Sequence, residues 1–189
     1  MISVVGVLAI LVLIFDFVLS IWNAYASGYN IGIINKTKQE GFSKIAAYSG
    51  LGLAFVGITY VLIVVLSIIA FAVGYIGSAT VEYAFAFDFL VFGLMIAGFG
   101  LMITIQSILI AAKRRSIGSI FVAIYNVVVE IWDVASYVSG FKQATSILKA
   151  DREERGNALM IVLIAALIGY FITHAAYKHG LNKAMQSQA

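Results

Sequence analysis

Nine residues on two stretches of the chain have the types and the spacing to do chemistry. Asp16, Ser20, Asn23, Ser27 and Asn30 recur at i, i+4, i+7, i+11 and i+14, which places five polar groups on one face of one helix. Asn126, Glu130, Asp133 and Tyr137 repeat the first four of those positions 110 residues later. In both stripes a tryptophan, Trp22 or Trp132, directly precedes the amide or acid.

Five of the nine acids, Asp16, Glu82, Asp88, Glu130 and Asp133, lie in or at the edge of strongly apolar stretches that contain no Lys or Arg. A bare carboxylate in hydrocarbon is too costly to persist. Each must be protonated, reach water, bind a cation or face a polar cavity between helices. The asymmetry points to cations or protons rather than anions. The residues expected to line an ion pathway or polar cavity are Asp16, Ser20, Asn23, Asp88, Asn126, Glu130 and Asp133. A structural reading stands beside this one: Glu82, Asp88, Asn23, Asn30 and Asp133 at the headgroup level, with Trp22 and Trp132 as aromatic-belt anchors.

Other chemistry is poorly supplied. The chain has no Cys and two His, His174 and His179, so thiol catalysis, disulfides and thiolate metal sites are excluded and no cofactor or metal site is expected. No nucleophile elbow, phosphate loop, dinucleotide fingerprint or HExxH motif occurs, and no enzyme is expected.

The elements that position these residues follow from composition. With 62% hydrophobic and only 11% charged residues, the chain reads as an all-α integral membrane helix bundle forming a single membrane domain over residues 1–189. Hydrophobic segments fall at about 2–23, 46–73, 84–112, 117–139 and 157–177, each near the roughly 20 residues that cross hydrocarbon as a helix. Residues 117–139 carry Glu130 and Asp133, so the alternative is four spans plus one interfacial or re-entrant helix. Five spans put eight basic residues inside and four outside, while four spans put ten inside and two outside. The near-continuous apolar surface of 117–139 is unlike an interfacial helix and favours five spans. With five, the protein sits in the cell membrane with its amino terminus outside and its carboxyl terminus inside.

The chain has no proline, so long unbroken helices are expected, projecting beyond the bilayer. The 110-residue offset also aligns the second segment with the last, which suggests an inverted repeat of helices 1–2 and 4–5. Small-residue stripes at Ala46, Gly50 and Ala54, at Gly93 and Ala97, and the pair Gly28 and Gly32 mark close helix packing. The expected partners are the lipid bilayer and either further copies of the chain or subunits of a membrane complex. Nucleic acid is not among them, because the net charge of +3 comes from basic residues at helix ends. These features point to a small transport protein, a homo-oligomeric cation channel or a proton- or cation-coupled carrier. The alternative is a non-catalytic structural or accessory subunit.

Overall fold

Each apolar segment continues as helix beyond its hydrophobic length, since no proline removes a backbone donor and backbone groups in hydrocarbon bond within the helix. The computed structural model describes residues 4–37, 42–149 and 152–186. Its elements are α1 (Val4–Lys36), α2 (Phe42–Ala72), α3 (Ser78–Arg114), α4 (Ile117–Ile147) and α5 (Arg152–Gln186). All five are long and apolar enough to cross a membrane, so the chain is an all-α, multi-pass membrane protein. At 33 residues, α1 is about 50 Å long.

A two-residue turn folds α4 back along α3. Arg115 adopts the left-handed conformation (φ 51°) and its N–H donates to the carbonyl of Ala111 at 2.8 Å; the Ser116 side chain then accepts from the Ser119 N–H at 3.3 Å, capping α4. Large side chains then fill glycine notches all along the pair. Tyr137 packs on Gly93, Glu130 on Gly100, and Phe89 of α3 on Gly140. The Thr104 hydroxyl donates to the carbonyl of Asn126 at 3.2 Å. Residues 117–139 are therefore antiparallel to α3 within the bundle, which removes the interfacial alternative.

α1 and α5 are parallel. Gly28 meets the backbone of Tyr177, Gly180 meets the backbone of Tyr25, and Gly32 meets Ala184. With no Cβ on these glycines, backbone rests on backbone, as in small-xxx-small membrane pairs. The Lys36 ammonium then closes the end of α5, donating to the carbonyls of Ala184 and Met185 at 2.8 Å each. A lysine donating to the carbonyls of a last helical turn also complements the negative end of the helix dipole.

The helices make a row, α1–α2–α3–α4, in which α1 packs on neither α3 nor α4 among the described residues. α5 packs on α1, α2 and α3 and covers one face of the row. The apolar core lies where α2, α3 and α5 meet, around Val56, Ile63, Phe92, Val162 and Ala165. Among the described residues α4 packs along α3 alone, its C-cap carbonyl at Leu148 accepting from the Arg155 guanidinium of α5 at 3.0 Å, and α1 and α2 pack side by side whereas α4 and α5 do not. The packing of the second pair therefore does not reproduce that of the first, as a simple inverted repeat would.

Candidate polar site on the uncovered face

The face of the row opposite α5 carries the polar groups. Contact registers fix their levels. Ser20 rests on Gly57 and Ser27 on Gly50, so antiparallel α1 and α2 bring Asp16 beside Tyr60 and Val61. Tyr60 pairs with Phe85 (ring centroids 6.5 Å apart) and Phe55 with Phe92 (6.0 Å), which brings Tyr60 level with Asp88 on α3. The Tyr60 hydroxyl lies within electrostatic reach of both Asp16 and Asp88. One polar residue from each of three helices thus stands at one level, ten to twelve residues in from Val4, Ala72 and Ser78. At 1.5 Å per residue that is about 15 to 18 Å from the bundle end.

Asp88 has a buried carboxylate oxygen, Oδ1, with no hydrogen-bond partner. It lines a cavity of about 300 Å³ together with Tyr60, Asp133, Ser136 and Tyr137. The α3–α4 register sets Asp133 opposite Ala97, roughly nine residues and about 13 Å along α3 from Asp88, so the two acids mark opposite ends of the cavity. No ion pair neutralises Asp16, Asp88, Glu130 or Asp133 among the described residues.

The two polar stripes have separate fates. α1 and α4 flank the row and do not meet within one chain, so a pathway walled by those two helices together is not formed there. On α4, Asn126, Glu130 and Tyr137 are packing residues. Glu130 is 8% exposed and seated on Gly100, and the Tyr137 hydroxyl donates to the carbonyl of Leu90 at 3.1 Å. Asp133 and the ring of Tyr137 are the members of that stripe that line the Asp88 cavity. On α1, Ser20 is a packing contact with α2, whereas Asn23, Ser27 and Asn30 line a second cavity of about 630 Å³ between α1, α2 and α3.

Sequence reasoning passed over Tyr60, Gln106 and Arg114 as site residues, and they line these cavities. Among the described residues, no group of three or more His, Asp or Glu is arranged to hold a metal ion. Trp22 and Trp132 are exposed on the outer surface, compatible with their expected role as anchors.

The fold and this face define a small polytopic membrane protein with titratable groups on one open face. No protein-family model, curated protein or solved structure matches the chain. Its function is therefore read from the geometry.

Proposed function

We propose that the chain is a small membrane transport protein that moves protons or small cations, as a homo-oligomeric channel or a cation-coupled carrier. The observation that carries this reading is the row Asp16–Tyr60–Asp88, contributed by three helices at one depth and left without a basic partner. Two carboxyls flanking a phenol accept and release a proton, or replace part of a cation's hydration shell with oxygen ligands. The cavity continuing to Asp133 supplies the next oxygen along the membrane normal. The face is open in one chain, and a second copy laid against it would exclude lipid from the acids.

The test is flux in proteoliposomes of the purified chain, read with a pH-sensitive dye and a cation-sensitive dye. The parent is expected to conduct. Asp88→Asn and Asp16→Asn are expected to lower flux at least about tenfold, the effect of one lost charge interaction of about 1.4 kcal/mol at the barrier. No flux in the parent, or undiminished flux in both variants, overturns the reading.

One observation favours an accessory-subunit reading. Along its length α4 packs on α3 alone among the described residues and exposes Phe121, Tyr125, Ile131, Trp132 and Val138, a surface suited to other subunits as well as to lipid. Mass determination of the protein purified natively decides between them: a defined hetero-complex supports the accessory role, and a homo-oligomer supports transport.

A further inference from the structure

The second cavity on the uncovered face differs in chemistry from the acid row. Its polar lining is three carboxamides (Asn23, Asn30, Gln106), two hydroxyls (Ser27, Ser43) and one guanidinium, Arg114, with no carboxylate. Carboxamides and hydroxyls donate as well as accept, whereas a guanidinium only donates. Arg114 has no hydrogen bond or ion pair among the described residues. Ser27 is 7% exposed, makes no hydrogen bond among the described residues, and opens onto this cavity across Gly50, whose missing Cβ leaves the hydroxyl its space. The Ser27 hydroxyl is free to donate to a ligand in that cavity.

Position narrows the ligand. The cavity runs from Leu53 and Ile103 to Ser43 and Arg114, the second residue of α2 and the last of α3. From Ile103 to Arg114 it extends about 16 Å along α3. Its mouth carries Arg114, at the end of a helix where basic residues sit at a membrane's headgroup level. The amino-terminal turn of α2 adds its positive dipole end to the same mouth. Deeper in, Leu53, Ile103, Ile33 and Ile34 offer apolar walls.

We propose that this cleft binds a phosphate-bearing anion, with its phosphate held by Arg114 and Gln106 and its remainder lying deeper, along Leu53 and Ile103 beside Ser27 and Asn30. The source is an anionic phospholipid headgroup or a soluble organophosphate. The proposal is independent of the transport reading, because its readout is binding.

The experiment is native mass spectrometry of the full chain released from detergent micelles doped with phosphatidylglycerol or, at equal mole fraction, phosphatidylcholine. A second arm titrates the chain with glycerol 3-phosphate. Preferential retention of phosphatidylglycerol is expected. Arg114→Gln is expected to weaken it about tenfold, the size of one lost charge-assisted hydrogen bond. Lys113→Gln removes the same charge one residue away, outside the cavity, and is expected to change retention less than about twofold. Ser27→Ala, expected to weaken binding about threefold, serves if Arg114→Gln does not fold. Glycerol 3-phosphate binding that depends on Arg114 or Ser27, without lipid preference, supports the site and assigns the soluble source. Equal retention of the two lipids with no glycerol 3-phosphate binding overturns it, as do equal losses in Lys113→Gln and Arg114→Gln.

Discussion

Gly28→Ala isolates the contact that ties the first helix to the last. A Cβ at Gly28 would stand 2.9 Å from the carbonyl carbon and 3.0 Å from the Cα of Tyr177, and closer still to its oxygen. These are backbone atoms that no rotamer change can move, so the parallel helices α1 and α5 must part. A gap of about 0.5 to 1 Å forfeits a quarter to a half of each dispersion contact, and over some tens of atom pairs at about 0.15 kcal/mol each this is about 2 to 3 kcal/mol. The better helix propensity of alanine returns about 1 kcal/mol. The net destabilisation is then about 1 to 2 kcal/mol. The assay is equilibrium unfolding in mixed micelles of dodecyl maltoside and dodecyl sulfate, followed by the fluorescence of Trp22 and Trp132. Gly98→Ala is the control, since nothing lies within 4 Å of a Cβ there, and it should be neutral or stabilising by up to about 1 kcal/mol. A Gly28→Ala variant as stable as the parent, or a Gly98→Ala variant equally damaged, refutes the parallel crossing.

Two further substitutions test the same structure at other points. Lys36→Met removes both donors from the last carbonyls of α5 and should cost about 1 to 2 kcal/mol, with faster amide exchange over residues 181–186; unchanged exchange there contradicts the cap. Thr59 is fully buried against Gly169, with no hydrogen-bond partner for its hydroxyl, so the near-isosteric Thr59→Val should raise stability by about 1 kcal/mol in the unfolding assay. A loss of stability contradicts it.

The membrane class and the helix count were legible because apolar length and missing proline act locally. The pairing of Gly28 and Gly32 was legible as well, since small residues at spacing four announce a close approach whatever the partner. The stripe on α4 was harder. Asn126, Glu130, Asp133 and Tyr137 do share a face, but periodicity reports a face and not its cover, and the cover is the glycine-notched side of α3. The missing glycine side chains at 93 and 100 let tyrosine and glutamate serve as packing residues. Tyr60 and Arg114 were illegible for a different reason. Arg114 reads as one of a run of three basic residues at a helix end and Tyr60 as part of an apolar segment, and only the antiparallel registers of α1 with α2 and α2 with α3 bring Asp16, Tyr60 and Asp88 to one level.

A natural chain without cysteine allows one thiol to report on the acid cavity. Ser136 lines the cavity between Asp88 and Asp133 without being one of the acids, while Val134, two residues away, is exposed on the outer surface. The decisive measurement is flux through proteoliposomes of Ser136→Cys and Val134→Cys before and after a cationic methanethiosulfonate reagent, with modification verified by mass. Ions passing Asp88 and Asp133 would meet a fixed positive charge in the first variant alone. Its flux should fall at least about tenfold, as one like charge near the path demands, while modified Val134→Cys should conduct as before. Unchanged flux through fully modified Ser136→Cys would contradict a cation pathway along this face.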